Sequence, residues 1–262
     1  MNLDNELALA KEAAVKAASV ILDYYKMADL NVTMKGKGQP LTEADLASNR
    51  IIKEILQGAF PNDGWLSEED PDNALRFFKK RVWIVDPLDG TQDFINKNPE
   101  FAVSIGLVVD EKPVLGVIVN PVTNEIFWGV SGLGAFADGK RISATDNRDV
   151  KNISLIVSQS EDRRGEWERF KSFFHVKPTG STAYKLALVA LGRADGCFTL
   201  KPKSEWDICA GHVLIEEAGG IITTASGESI KYNQPTPRLK NLVYSNSHLH
   251  GYILEVIRND TP

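Results

Sequence analysis

Four stretches of the sequence set carboxylates beside turn-forming residues, and the chemistry of the chain depends on whether they meet. The densest is WIVDPLDGTQDF, Trp83 through Phe94, where Asp86, Asp89 and Asp93 follow an apolar run and flank a proline and a glycine. Two carboxylates roughly 5 Å apart repel by about 3 kcal/mol at an effective dielectric near 20, so a bound cation is the natural counter-charge. LSEED adds Glu68, Glu69 and Asp70, EWDICAG adds Asp207, and LTEAD adds Asp45. Each alone has an ordinary reading: a solvated acidic turn for Glu68 to Asp70, helix N-caps for Asp89 and Asp207, the third residue of a capping box for Asp45. Their conjunction carries the weight.

Oxygen donors without histidine or thiolate select magnesium or manganese over zinc. A helix opening at Gly90 and Thr91 presents unpaired backbone N–H groups suited to a phosphate. Cations held by carboxylates beside such a helix end describe metal-assisted phosphoryl chemistry, in which a water is activated and the leaving alkoxide neutralised. A covalent aspartyl route of the DxDGT type fits poorly. The acids are three apart, Leu88 fills the intervening slot, and a strand of period two points Asp86 and Asp89 to opposite faces unless the chain turns. No GxxxxGK[ST] occurs. The glycines of SGLGAFADGK read as a hairpin rather than a dinucleotide turn.

The elements that must position these acids follow from periodicity. Leu3, Leu7, Ala10, Ala14, Ala18, Ile21 and Tyr25 predict a helix from about 4 to 27. A polar GKGQP turn leads to a second helix opened by Thr42 and Asp45, with Leu46, Ile51, Ile55 and Ala59 on its inner face. WLSEE, VWIVD, FAVSIGLVVD, VLGVIVN, EIFWGV and the ADGKRIS hairpin predict a mostly antiparallel meander. Beyond about residue 150, ISLIVS, DGCFTL, IITT and NLVYS alternate with helices near GEWERFKSFF, STAYKLALVALGRA, DICAGHVLIEEAGG and HGYILEVIR, an α/β pattern. The expectation is one phosphatase domain over 1–262, with subdomains 1–148 (α+β) and 149–262 (α/β).

Thirty basic against 35 acidic residues leave a net charge of −5, which argues against a long nucleic acid as partner. No apolar run reaches membrane-spanning length, no secretory leader is evident, and two cysteines, Cys197 and Cys209, suit a reducing compartment. A cytoplasmic location is expected, with no membrane partner. His248 and His250 read as surface histidines before the last helix, while His212, Cys209 and Trp206 read as packing residues.

LSEED, WIVDPLDGTQDF and EWDICAGHVLIEEAGG, together with GLGAFADGKRIS and GSTAYKLALVALGRADG, resemble the blocks of the inositol monophosphatase superfamily, the magnesium-dependent, lithium-sensitive phosphatases, along nearly the whole chain. The resemblance implies a layered α-β-α-β-α sandwich holding two or three magnesium ions, with manganese as a substitute. It implies that Glu68, Asp86 and the Leu88 carbonyl hold one metal, that Asp86, Asp89 and Asp207 hold another, and that phosphate rests on the Gly90 and Thr91 amides. Water would be activated with Glu68 and by Thr91, oriented through Asp45. An acid and Phe after DGT, the further pair Glu100 and Phe101, the Glu before WD and the IKYNQ segment are more similar to bacterial 3'(2'),5'-bisphosphate nucleotidases than to the inositol enzymes. An inositol or fructose 1,6-bisphosphate type phosphatase is the alternative, and a silent metal- and phosphate-binding regulator the reading from another class. FTLKPKSEWD departs from the Arg and GPT element of some nucleotidases. Lys201 and Lys203 are candidates for a second phosphate, and Gly180, Ser181 and Thr182 for other substrate contacts, against a plain capping role. The partner expected is a small phosphorylated substrate, and the sequence leaves room for a homodimer.

Overall fold

The computed structural model describes residues 2–28, 31–36 and 39–259. Helix α1 (Asp4–Tyr25) buries Ala10, Ala13, Ala14, Ala17, Ala18 and Ile21 as one stripe, as the spacing predicts. Strands β1 (Val32–Gly36) and β2 (Gln39–Thr42) pair antiparallel where the sequence suggested only a turn, and residues 37 and 38 of that turn lie outside the described residues.

Helix α2 (Glu43–Ala59) starts at the expected capping box, with Asp45 Oδ2 accepting from the Thr42 N–H at 2.8 Å. Its inner face differs from the expectation. Ala44, Asp45, Ser48, Asn49, Ile52 and Leu56 are buried, whereas Leu46 is 44% exposed and Ala59 is exposed. The helix turns a polar stripe inward because that stripe has partners: Ser48 Oγ donates to the Pro87 carbonyl at 2.8 Å, and Ser67 Oγ donates to Asn49 Oδ1 at 2.7 Å. Buried polar groups are tolerated when so paired.

A seven-stranded sheet follows in sequential order: β3 (Gly64–Ser67), β4 (Arg81–Asp89), β5 (Ala102–Val109), β6 (Lys112–Val119), β7 (Ile126–Val130), β8 (Gly134–Ala137) and β9 (Lys140–Arg141), with the one-turn helix α3 (Thr91–Ile95) between β4 and β5. Only β3 and β4 run parallel, so the antiparallel meander holds elsewhere. The β8–β9 hairpin turns at Asp138 and Gly139, both at positive φ, the geometry for which Asp-Gly is favoured.

The second sheet is mixed. Its order is β11 (His175–Thr179), β10 (Ser154–Ser158), β12 (Gly196–Phe198), β16 (Leu242–Asn246), β14 (Gly220–Thr224), with a small ribbon of β13 (Lys203–Ser204) and β15 (Arg238–Leu239) beside it. Its helices are α4 (Gln159–Arg163), α5 (Thr182–Ala190), α6 (Glu205–Glu217) and α7 (His250–Asn259). The helix expected near 165–174 is instead a 3-10 turn at Glu168–Phe170, because Gly165 at φ 74° breaks the chain out of helical geometry and His175 enters β11. Trp167, Phe170 and Phe174 still bury together against Phe198. His250 is also buried rather than at the surface, its ring held between Thr223 and Ser245 at 2.9 Å each.

The layers are α1 and α2, the seven-stranded sheet, α5 and α6, the five-stranded sheet, and α7 with the 159–174 segment. This is the α-β-α-β-α sandwich. Two paired glycines set the depth of α6: a Cβ on Gly106 would sit 2.5 Å from Cys209 Sγ, and one on Gly116 would collide with the Ala210 carbonyl. Backbone therefore meets helix directly, and Asp207 at the start of α6 is brought against β4. Among the described residues no helix is long and apolar enough to cross a membrane.

Candidate active site

Asp86 and Asp89 reach one cavity because β4 is not regular. Asp86 pairs with Ser104 on β5 and Asp89 with Ala102, so three steps on β4 match two on β5. The extra residue is a bulge, and Pro87, which has no N–H to give a ladder, accommodates it. The bulge restores Asp89 to the side of Asp86. Gly90 then turns the chain at φ 98°, a left-handed conformation that disfavours a side chain, and Thr91 starts α3.

The cavity has a volume of about 580 Å³, and Glu68, Asp86, Leu88, Asp89, Gly90, Thr91, Lys203 and Asp207 all line it. Glu68, Asp86 and Asp207 each offer one carboxylate oxygen, and these atoms lie within 4.8 Å of one another. Burial, reinforced by Glu68, Asp89, Asp207 and Asp45, pushes the Asp86 carboxyl well above the usual carboxylate range. Burial and then Asp89 push Asp207 up to about 7, against the pull of Lys203 and the Ser204 N–H. Such crowding of hard oxygens in one cavity fits a divalent cation.

Asp89 stands apart from that trio. Its Oδ2 accepts from Ser181 Oγ at 2.6 Å and from the Ala183 N–H at 2.5 Å. Asp45 lies behind the cavity wall, 1% exposed, with Oδ2 held by the Thr42 N–H and hydroxyl at 2.8 and 2.6 Å. Its Oδ1 accepts from Thr91 Oγ1 at 3.0 Å. The Leu88 carbonyl is 3.2 Å from the same hydroxyl, and the Leu88 N–H donates to Asp86 Oδ1 at 3.1 Å. Glu68, Asp86, Asp89 and Asp207 thus line this cavity and Asp45 stands behind its wall, whereas Asp70 accepts from Trp65 Nε1 at 2.6 Å and pairs with Lys53 at 3.2 Å.

Asp93 does other work: its Oδ1 accepts from Asn98 at 2.8 Å, and it packs on Gly180. Gly180, Ser181 and Thr182 line an adjoining cavity of about 190 Å³ that shares Asp89, Gly90 and Lys203 with the first. Ser181 is the N-cap of α5, accepting from the Tyr184 N–H at 3.0 Å, and its proton is committed to Asp89. Gly180 N–H donates to Glu100 Oε2 at 2.7 Å. Lys201 is turned away from both cavities, paired with Glu166 at 3.1 Å. Trp206 lines the main cavity as well as packing on the core, more than the packing role expected of it.

Two motif residues prove to be one joint. Glu205, the Glu before WD, accepts from the N–H groups of Asn233 and Gln234 in IKYNQ at 2.7 and 2.9 Å. The buried Arg76 closes the joint through the Asn233 side chain at 2.7 Å and the Gln234 carbonyl at 2.9 Å. These residues brace the Asp207 end of α6. The sequence reading missed Arg238, which lines the cavity from β15 and donates to Ser204 Oγ at 3.2 Å. No motif flags it, because a two-residue ribbon leaves no periodicity.

The sequence pattern of the inositol monophosphatase family matches residues 2–261. A fructose-1,6-bisphosphatase/inositol-1-monophosphatase of Aquifex aeolicus is 34% identical over 98% of this chain and 97% of its own length. The solved inositol monophosphatase of Thermotoga maritima superposes with a TM-score of 0.87 at 29% identity, covering 97% of each chain. CysQ from Bacteroides thetaiotaomicron, a bacterial member of the same family, superposes with a TM-score of 0.79 at 30% identity, covering 94% of this chain and 99% of its own.

Proposed function

The chain belongs to the inositol monophosphatase family and is a phosphatase of that family, and on that premise we propose that it is a magnesium-dependent 3'(2'),5'-bisphosphate nucleotidase, converting adenosine 3',5'-bisphosphate to AMP and phosphate. The observation that carries the finer reading is the charge layout of the cavity. Its acids form one group, while Lys203 and Arg238 line the same cavity from the paired strands β13 and β15. A substrate with one phosphate has use for the acids and their cations alone. A second phosphate has use for the lysine and arginine.

Glu68, Asp86, Asp207 and the Leu88 carbonyl, with Asp89 beside them, would hold the cations. Bound there, they would draw charge from the phosphoryl oxygens, ease ionisation of a water and stabilise the leaving alkoxide. The chain supplies the rest. Gly90 and Thr91 offer backbone N–H groups to the phosphate. Asp45 holds the Thr91 proton on its own side, so the Thr91 oxygen turns a lone pair to the cavity. That oxygen takes a proton from the attacking water while Thr91 passes its own to Asp45 Oδ1, and Glu68 holds the water in line with phosphorus.

Similarity to the Aquifex aeolicus fructose-1,6-bisphosphatase/inositol-1-monophosphatase and to an inositol-1-monophosphatase of Caulobacter vibrioides favours a second reading, an inositol or sugar phosphate phosphatase. Phosphate release from adenosine 3',5'-bisphosphate, inositol 1-phosphate and fructose 1,6-bisphosphate, with magnesium and at equal concentration, separates the two. The nucleotide is expected to have the highest kcat/KM, and if it ranks last the nucleotidase reading is wrong. Release from none of the three would favour a silent binding module.

A further inference from the structure

Lys185 sits in the second turn of α5, an otherwise apolar buried helix, and is itself only 4% exposed. Its Nζ donates to the carbonyl of Ser181 at 2.8 Å and that of Thr179 at 3.4 Å, the two residues flanking Gly180. The loop is thus arched around one amine. Ser181, at the top of the arch, has φ 48° and ψ 132°, a conformation that residues with a side chain rarely adopt and that persists only where the surroundings impose it. From that conformation its hydroxyl caps α5 and donates to Asp89 Oδ2, while the Ala183 N–H donates to the same oxygen.

We propose that Lys185 is a positioning residue: by holding the 179–181 arch it fixes the rotation of the Asp89 carboxylate, and through it the affinity of the acidic cavity for a divalent cation. With Oδ2 committed to α5, Oδ1 is the Asp89 oxygen presented to the cavity. Loss of the amine lets Ser181 relax to an ordinary φ, frees its hydroxyl from Asp89, and lets the carboxylate rotate. The inference rests on Asp89 serving as a cation ligand, and not on which phosphate ester is the substrate.

The sign of the effect separates positioning from plain electrostatics. Lys185→Met keeps the apolar stem and takes a positive charge out of the surroundings of the acids. By Coulomb's law alone, that leaves cation uptake unchanged or strengthens it. Positioning demands the reverse. Calorimetric titration of the substrate-free protein with magnesium, and with manganese, is expected to show the dissociation constant rising tenfold or more in Lys185→Met, with the far-ultraviolet spectrum and cooperative melting retained. Ser181→Ala is expected to move it the same way. The double variant is expected to be no worse than the worse single one, since both act through one Asp89 oxygen. Affinity equal to or tighter than wild type in Lys185→Met, or independent additive losses in the double variant, would overturn the proposal. If the Met variant does not fold, Lys185→Leu, likewise apolar, uncharged and without a donor, carries the same comparison. Wild-type protein that binds neither cation would sink the metal site itself, and this inference with it. Tight cation binding with a poor nucleotide substrate would sink only the nucleotidase reading.

Discussion

Replacing Asp45 with Asn keeps the shape of the Thr42–Asp45–Thr91 chain and reverses its polarity. Asp45 accepts from the Thr42 N–H and hydroxyl on Oδ2 and from the Thr91 hydroxyl on Oδ1. An Asn has one acceptor oxygen to share between those sides. Thr42 is buried, and turning the NH₂ toward its N–H would leave a buried donor unmet at a cost of about 2 kcal/mol. At roughly tenfold per 1.4 kcal/mol, that keeps the working orientation in no more than about one molecule in 30. In the rest, the Asn NH₂ donates to Thr91 Oγ1, occupies the lone pair meant for the water, and turns the Thr91 proton toward the Leu88 carbonyl. The amide also cannot take the Thr91 proton in either orientation. Both effects fall on the chemical step, so kcat should drop by about 10² or more, within the range of a lost general base. KM should change little. Loss of the charged acceptor in the capping box costs about 1 kcal/mol, which lowers Tm by roughly 3 °C in a chain of this size. The assay is steady-state phosphate release with saturating magnesium, alongside a calorimetric melt, with Thr91→Val for comparison. Asp45→Asn turning over within about threefold of wild type, with its melt intact, would refute the proton path.

Other outcomes follow from the same geometry. The Asp207 carboxyl is raised by burial and Asp89 to about 7, so without metal it stays protonated in the folded chain while its unfolded counterpart ionises. That raised value makes its stability contribution complete below the usual carboxylate pKa and lost as pH climbs toward about 7. Magnesium restores what ionisation removes, so the rise in Tm on adding magnesium should be larger at pH 8 than at pH 5, and an equal rise would count against the acids as ligands. Gly116→Ala drives a methyl into the Ala210 carbonyl and should lower stability by about 2 kcal/mol or more through overpacking, weakening magnesium binding as α6 shifts Asp207; melting and titration calorimetry would detect both. Removing divalent cations with a chelator should abolish phosphate release and leave the circular dichroism unchanged, with activity returning on magnesium addition. Lithium should inhibit the magnesium-supported reaction, and indifference to lithium would set this chain apart from the lithium-sensitive pattern its motifs resemble.

What the sequence determined by itself was everything fixed over a few residues of chain. The capping box at Thr42, the Asp138–Gly139 turn, the helical stripe of α1 and the meander are written in spacing and turn chemistry, because backbone hydrogen bonds and steric limits act over about four residues; at α6 the N-cap is Ser204, with Asp207 three residues in rather than the cap itself. The acids of the cavity were legible for the same reason, as each marks a strand end or helix start. Tertiary structure decided which of them face one another. Thr91 meets Asp45 across 46 residues and Ser181 meets Asp89 across 92, contacts that no local rule encodes. The β4 bulge, set by register against β5, put Asp89 on the side of Asp86. Packing turned the polar stripe of α2 inward, buried His250, and brought Arg238 to the cavity on a ribbon too short to read. Residue types and their immediate neighbours limit what chemistry is available, and only the meeting of the two sheets through α5 and α6 places those groups within bonding distance.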